Sequence, residues 1–360
     1  MDAVIEYVTD YYQYGPVSPE IFEEGFQVYD PLMAYYLLDE ADKNYDALIS
    51  REERYAITEL FLRYQDPLNL LDGNTYLQYF PNLKTLDIGP YKDNEEASRV
   101  YQGRRVATNR GFGVYCDRLV VENANVNSIR IGWNNEIKHV DLSKCPNVKS
   151  VIMYDVSCMD VVLPPSIEAL VIVGNDFSYM DLSTYNKLNF ISIEKSNCHR
   201  LILPQSAKTV YCTQGQLASI DLSRCKELEY LNIKDNKLTS LDLSQCVNLI
   251  RLICNLNQVT SLDLSKCNNL LSLNCWSNPI KSLDLHHNEH LELLYCSDCD
   301  IVELDLTSNK RIEWLEVQAD GFETRLKKIY LPKDHIYNGK YYYIDHDHFT
   351  DFSGIEVIYK

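Results

Sequence analysis

Histidine and aspartate residues near the C-terminus have a spacing that is suited to binding a divalent metal ion. The segment runs Asp345-His346-Asp347-His348, with Asp351 three residues later. On an extended backbone His346 and His348 would lie on the same side of a strand. A metal site usually needs a third ligand, which the sequence does not fix. We therefore expect no bound metal and no other cofactor, and a metal-dependent protein that uses this His/Asp cluster stays open as an alternative.

Cysteine is abundant, with 12 residues, and Cys296 and Cys299 have the C-x-x-C spacing of half a zinc site. No second pair follows at the distance that a zinc site requires. A cluster of His286, His287 and His290 is placed where polar surface residues are expected. Neither group predicts a metal centre.

Motifs for enzymatic catalysis are missing from the sequence. It contains no G-x-S-x-G nucleophile elbow and no phosphate-binding loop. We therefore expect a protein that is not an enzyme. An enzyme that uses the C-terminal histidines, or the basic residues Arg104, Arg105 and Arg110, is the alternative.

A repeat with a fixed period organises most of the chain. A segment of the type Leu-Asp-Leu-Ser-x-Cys begins at residues 220, 241, 262, 283 and 304, each start 21 residues after the last. Upstream starts at Val140, Val161, Met180 and Leu201 alternate between 21 and 19 residues. A period in this range is typical of a solenoid, in which each unit buries its apolar face against its neighbours.

Within a unit the apolar spacing is L-x-x-L-x-L-x-x-N-x-L, as in Leu228, Leu231, Ile233, Asn236 and Leu238. The chain thus resembles the leucine-rich-repeat (LRR) family over residues 75–331. Its 21-residue units are similar to repeats in surface and secreted proteins of gut bacteria, and its 19-residue Leu-Pro units resemble those of secreted bacterial effectors. The resemblance implies an α/β solenoid, an LRR horseshoe with a parallel concave β-sheet.

Three residue types recur at fixed repeat positions, and each has a structural explanation. The cysteines form rows of small buried groups. The asparagines, Asn175, Asn236, Asn257 and Asn278, can bond the backbone turn of the adjacent unit. The aspartates at the second position could suggest calcium, but we expect them to accept turn N–H bonds instead; they are Asp141, Asp181, Asp221, Asp242, Asp263, Asp284 and Asp305.

The ends of a solenoid need covering, because an open end would aggregate. Residues 1–74 carry 16 acids and 4 bases. Helix-start patterns such as Ser50-Arg51-Glu52-Glu53, and apolar residues at a helical period such as Ile21 and Phe26, predict about four short helices over residues 2–70. We expect this segment to be an acidic helical N-terminal cap. Residues 75–331 form the solenoid, with an insertion at 89–118. Residues 332–360 form a C-terminal β cap, in which Tyr341–Ile344 and Ile355–Tyr359 make a β-hairpin.

The concave face is the candidate binding site. In each unit the strand residues beside the inward leucines point to that face, and here they are rich in aromatic and amide groups. Tyr, Trp and Arg concentrate binding energy in interfaces. The predicted partner-binding residues are Tyr211, Tyr230, Asn232, Arg251, Asn274, Trp276, Tyr295, Trp314 and Glu316. We expect a protein or peptide ligand, with a glycan as the alternative.

Charge limits the classes of partner. The chain has 34 Lys and Arg against 52 Asp and Glu, a net charge of −18. This balance disfavours nucleic acid and anionic lipid, which rely on basic residues, and no apolar stretch is long enough to cross a bilayer. The acidic N-terminal segment could itself dock a basic partner.

Compartment and oligomeric state follow from similar arguments. The acidic start Met1-Asp2-Ala3-Val4-Ile5-Glu6 differs from a secretory signal, and many core thiols suit a reducing compartment. We therefore expect a cytoplasmic monomer. A secreted or cell-surface location is the alternative if the chain is a processed form.

Overall fold

The computed structural model describes two compact units, Met1–Ile167 (the N-terminal unit) and Glu168–Lys360 (the C-terminal unit). The described residues are 20–21, 25–27, 49–62, 82–88, 98–101, 104–107, 118–122, 124–132, 137–156, 158–175, 177–318, 324–333, 343–344, 348–349 and 354–360. Within them, no helix is long or apolar enough to cross a membrane.

The N-terminal unit contains two parallel sheets that follow the repeats. One joins β4, β5, β9 and β11, and the other joins β8, β10 and β12. Two antiparallel groups, β1-β2-β3 and β6-β7, accompany them. The elements are β1 (Glu20–Ile21), β2 (Gly25–Gln27), β3 (Ile49–Ser50), α1 (Arg51–Ala56), β4 (Glu59–Leu62), β5 (Thr85–Ile88), β6 (Ser98–Tyr101), β7 (Arg104–Ala107), β8 (Arg118–Glu122), β9 (Ser128–Gly132), β10 (His139–Lys144), β11 (Ser150–Tyr154) and β12 (Asp160–Val162).

Of the predicted helical cap, the structure describes residues 20–21, 25–27 and 49–62, which contain the one helix α1 and the strands β1 to β4. The helix start at Ser50-Arg51-Glu52-Glu53 is confirmed, because α1 begins at Arg51. However, Ile21 and Phe26, which fitted a helical period, pair across the antiparallel strands β1 and β2. Apolar residues over so short a segment fit both the helical and the strand period, so the pattern alone does not decide between them.

The C-terminal unit is built on a main sheet of eight parallel strands in the order β24-β22-β21-β20-β19-β17-β15-β13. Return segments carry two further parallel groups, β14-β16-β18 and β23-β25-β28. The strands are β13 (Ala169–Val173), β14 (Tyr179–Asp181), β15 (Phe190–Glu194), β16 (Arg200–Ile202), β17 (Thr209–Thr213), β18 (Ser219–Asp221), β19 (Tyr230–Asn232), β20 (Arg251–Ile253), β21 (Ser272–Asn274), β22 (Leu293–Tyr295), β23 (Glu303–Asp305), β24 (Trp314–Glu316), β25 (Lys328–Leu331), β26 (Tyr343–Ile344), β27 (His348–Phe349) and β28 (Glu356–Tyr359).

The core follows directly from the period of the sequence. Each main-sheet strand pairs with the next at the same repeat position, so Leu231, Leu252, Leu273 and Leu294 lie side by side and are fully buried. Residues before and after each leucine point to the opposite face, since side chains alternate along a strand. The repeated leucines therefore fix both the core and the outer surface of the sheet.

Three of the four predicted asparagine side chains bond successive units, whereas Asn175 donates to the carbonyl oxygen of Val173 in its own unit at 3.3 Å. Asn257 Nδ2 donates to the carbonyl oxygens of Ile233 (2.9 Å) and Cys254 (3.0 Å), and its Oδ1 accepts the N–H of Leu238 (3.0 Å). Asn236 and Asn278 make the same set of bonds. The preceding residue has a left-handed backbone, with φ near 57° at Leu256. The ladder thus stabilises a turn that would otherwise be strained.

The aspartate row accepts turn N–H groups, which confirms the structural explanation of these residues. All seven carboxylates bind the backbone N–H two residues later at 2.9–3.0 Å. Hydrogen bonds from the hydroxyl and the N–H of Ser265 lower the pKa of the Asp263 carboxyl group below its usual 3.8. Serine at the same place lowers the pKa values of Asp221 and Asp242.

These shifts predict a pH dependence of stability. Because the folded-state pKa is lowered, the stabilisation is complete above the unfolded value of 3.8 and is lost as the pH falls through the folded value. In an Asp221→Asn/Asp242→Asn/Asp263→Asn variant, which keeps the acceptor oxygens, the urea midpoint should fall less than in wild type between about pH 5 and pH 2. Equal acid sensitivity would contradict the prediction.

The C-terminal residues cover a sheet edge, but not through the predicted hairpin. Glu356–Tyr359 (β28) pairs in parallel with Lys328–Leu331 (β25), whereas β26 pairs in antiparallel fashion with β27. Lys328 lies 3.5 Å from Glu356, and Lys360 lies over the ring of Tyr330. The predicted pairing is therefore wrong, because β25 offers an edge whose backbone groups β28 satisfies.

Candidate binding surface on the main sheet

The outer surface of the main sheet, which we call the open face, carries three columns of side chains. The pairing of residues between neighbouring strands defines the first two columns. The third column follows the ends of the strands, where backbone hydrogen bonds keep neighbouring units in the same register. Column one is Phe190, Thr209, Tyr230, Arg251, Ser272, Leu293 and Trp314. Column two is Ser192, Tyr211, Asn232, Ile253, Asn274, Tyr295 and Glu316. Column three is Glu194, Thr213, Lys234, Asn255, Trp276, Ser297 and Gln318.

Three aromatic rings form an upstream cluster on diagonal positions of neighbouring strands. The ring centroids of Tyr211 and Tyr230 lie 4.9 Å apart, and those of Phe190 and Tyr211 lie 6.0 Å apart. Both distances are typical of favourable aromatic pairs. Burial raises the pKa of Tyr230, and Tyr211 beside it adds to the shift. This hydroxyl therefore stays protonated and can donate a hydrogen bond.

A downstream cluster joins two aromatic rings to a buried acid. The centroids of Tyr295 and Trp314 lie 6.2 Å apart. Glu316 adjoins Tyr295 in column two and is only 6% exposed. The Ser297 hydroxyl donates to Glu316 Oε1 at 2.6 Å. Burial raises the pKa of Glu316, and that of Tyr295 is raised by burial and by the charge of Glu316.

The remaining predicted site residues lie between the two clusters. Arg251 is exposed in column one, and Asn232 Oδ1 accepts the N–H of Lys234 at 3.2 Å. Asn274 presents a buried Oδ1 without a hydrogen-bond partner. Trp276 is half-buried in column three, whereas Trp314 lies in column one. The nine predicted residues therefore share one face, but they form two clusters and a polar centre.

Two residues of this surface were missed by the sequence analysis. Phe190 belongs to the upstream cluster, and Ser297 holds Glu316. Phe190 occupies the same repeat position as Tyr230 and Trp314, and Ser297 occupies that of Trp276. Reading all three columns through every unit would have found both.

The cysteines are core residues, as the repeat predicts. Eleven of the twelve are described, and all eleven are buried and form no disulfide among themselves. Burial raises the pKa values of Cys225 and Cys246 to about 12 and that of Cys267 to about 11. At neutral pH these thiols are protonated and unreactive.

Cys299 differs from the other described cysteines and should react first with alkylating reagents. It is 8% exposed, and a hydrogen bond from the Cys275 thiol lowers its pKa while raising that of Cys275. At pH 8, iodoacetamide should modify Cys299 at least about tenfold faster than Cys246, because the thiolate is the reactive form. Peptide mass spectrometry measures both rates. Equal rates in the folded protein, or faster modification of Cys246, would show that the prediction is wrong.

The candidate metal ligands are only partly described. Within the described residues, no three side chains of the metal-binding types converge on one point. His286 instead approaches its own turn aspartate, with Nδ1 2.8 Å from Asp284 Oδ1. His346 and the side chain of His348 lie outside the described residues, so that alternative stays a prediction.

Comparisons with known proteins identify the fold. No family model and no curated protein sequence matches the chain. The functional domain of InlJ from Listeria monocytogenes, described as including a cysteine ladder, aligns with a TM-score of 0.57 and 18% identity, over 88% of this chain and 70% of that one. An internalin (InlF) from the same species aligns with a TM-score of 0.54 and 14% sequence identity, over 91% of this chain and 94% of that one. A chain of the Toll–Spatzle complex from Drosophila aligns with a TM-score of 0.52 and 14% sequence identity, over 78% of this chain and 45% of that one.

At sequence identities of 14–18%, this structural similarity shows the fold alone. The chain has the LRR fold: a solenoid of stacked parallel strands with the repeats, buried leucines and asparagine ladder described above. Two Listeria monocytogenes proteins, one of which includes a cysteine ladder, are among its structural neighbours.

Proposed function

We propose that the chain is a non-enzymatic binding protein that holds a protein or peptide partner on the open face of the C-terminal unit. The observation that carries this proposal is the pair of aromatic clusters, Tyr211 with Tyr230 and Tyr295 with Trp314, on a face that is not part of the core. Aromatic side chains bury a large area for little loss of conformational freedom. They are the residue types that dominate binding energy at interfaces.

The polar centre between the clusters supports a peptide-like partner. Arg251 is exposed, and Asn274 offers a carbonyl oxygen that lacks a hydrogen-bond partner. A buried acceptor without a partner costs free energy, which a backbone or side-chain N–H of a bound partner would offset. One of the structural neighbours comes from a complex, that of Toll with Spatzle.

Partner capture from a lysate tests the proposal. A Trp276→Ala/Trp314→Ala variant should lose a protein that wild type retains, and a Tyr179→Ala variant should keep it. Tyr179 is a suitable control because it is 48% exposed on return strand β14, away from the open face. Retention by all three proteins would reject the open face and favour the acidic N-terminal segment. Loss of a glycan ligand instead of a protein would favour the carbohydrate alternative.

A further inference from the structure

Glu316 is an unusual residue for the surface on which it lies. It occupies column two of the open face, yet it is 6% exposed, and its side-chain hydrogen bond is to Ser297. Among the described residues, no lysine or arginine forms an ion pair with it. A buried carboxylate without a cationic partner destabilises a protein. Neutral residues occupy the equivalent position in the two preceding strands, at Asn274 and Tyr295.

The groups around Glu316 are suited to a cation. Tyr295 pairs with Glu316 on the adjacent strand, and Trp314 precedes Glu316 by two residues on its own strand. The ring centroids of Tyr295 and Trp314 lie 6.2 Å apart. Ring faces of Tyr and Trp attract ammonium and guanidinium groups, and more strongly when water is excluded. The Ser297 hydroxyl, which is fully buried, orients one carboxylate oxygen at 2.6 Å. Two aromatic rings beside a fixed, partly desolvated carboxylate make a site for a positive charge.

We propose that Glu316, Tyr295 and Trp314 bind an arginine or lysine side chain of the partner. This proposal rests on the proposed function and adds the chemistry of one contact. The carboxylate pairs with the cation, and the two rings cover its apolar stem. The net charge of −18 attracts a basic segment to the chain from a distance.

Matched peptides test the charge requirement. The probe is acetyl-Gly-Arg-Gly-amide, and its neutral counterpart carries citrulline, which has the shape of arginine without the charge. Tryptophan fluorescence should shift saturably with the arginine peptide, and the citrulline peptide should bind at least about tenfold more weakly. A third peptide with lysine distinguishes an ammonium from a guanidinium as the preferred ligand. Equal binding of the arginine and citrulline peptides would overturn the proposal.

Two variants separate a specific site from general charge. Glu316→Gln should weaken binding of the arginine peptide at least about tenfold. Glu313→Gln removes the same charge from an exposed position three residues earlier and should have little effect. Equal losses in both variants, or no loss in Glu316→Gln, would reject the site.

Stability provides an independent readout of the same residue. Glu316→Gln should unfold at the same temperature as wild type or higher, because a carboxylate whose burial is compensated only in the complex destabilises the free protein. A large loss of stability would assign Glu316 a structural role instead. If partner capture still depends on Trp276 and Trp314 while the peptides show no charge preference, the open face binds a partner and only the cation site is wrong.

Discussion

Replacing Asn257 with alanine is expected to lower the free energy of unfolding by about 3 kcal/mol. The side chain satisfies the carbonyl groups of Ile233 and Cys254 and the N–H of Leu238, all within the core of the C-terminal unit. Alanine leaves the N–H of Leu238 buried without a partner, which costs about 1–3 kcal/mol. It also removes one of the two side-chain donors of each carbonyl oxygen, leaving Asn236 on Ile233 and Asn278 on Cys254. It also releases the left-handed turn at Leu256. Urea denaturation monitored by circular dichroism measures the change.

A second asparagine provides the control. Asn269 donates one bond, to the carbonyl oxygen of Val247 at 3.3 Å, from an exposed position. Because water replaces that bond, Asn269→Ala should cost less than about 1 kcal/mol. If the two variants were equally stable, the asparagine ladder would not hold the solenoid together.

Replacing Leu252 with alanine is expected to destabilise the C-terminal unit by a similar amount, about 3 kcal/mol. Leu252 is fully buried and lies between Leu231 and Leu273, each of which is also fully buried. Alanine removes three carbon atoms from a close-packed row, and the neighbours cannot close the cavity without shifting register. The lost stability should appear as a lower urea midpoint.

Replacing an exposed apolar residue with alanine should leave the free energy of unfolding nearly unchanged. Val247, with 44% exposure on the return segment, is the matched position. Val247→Ala should change the free energy of unfolding by less than about 0.5 kcal/mol. A comparable loss at Val247 would mean that the return segment, rather than the leucine row, limits stability.

The sequence predicts the repeating part of the molecule because one pattern is imposed many times. The 21-residue period places Leu231, Leu252 and Leu273 in one row, and the strand register confirms that row. The same period fixes the asparagine ladder, the aspartate turns and the buried cysteines. In a solenoid each unit contacts chiefly its neighbours, so the local pattern specifies the long-range contacts.

The ends could not be predicted in this way. Ile21 and Phe26 have no repeat to decide between a helix and a strand, and a cross-strand pairing forms instead. Similarly, the alternating residues of β28 predict a strand but do not say which edge it joins. Tertiary contacts decide both cases.

The repeat period also predicts part of the candidate site. The period correctly places Tyr211, Tyr230, Tyr295 and Trp314 on one face. It does not reveal that Glu316 is buried and accepts a hydrogen bond from Ser297, because the repeat pattern does not specify how the side chains pack. Burial of a polar group on an otherwise regular face becomes visible only with side chains in place.

The most direct test of the open face as a binding surface is hydroxyl-radical footprinting of the chain with and without its captured partner. Oxidation of Tyr230, Trp276 and Trp314 should fall when the partner is bound, whereas oxidation of Tyr179 on return strand β14 should be unchanged. Protection of Tyr179, with undiminished oxidation of the open-face rings, would place the partner elsewhere and contradict the account.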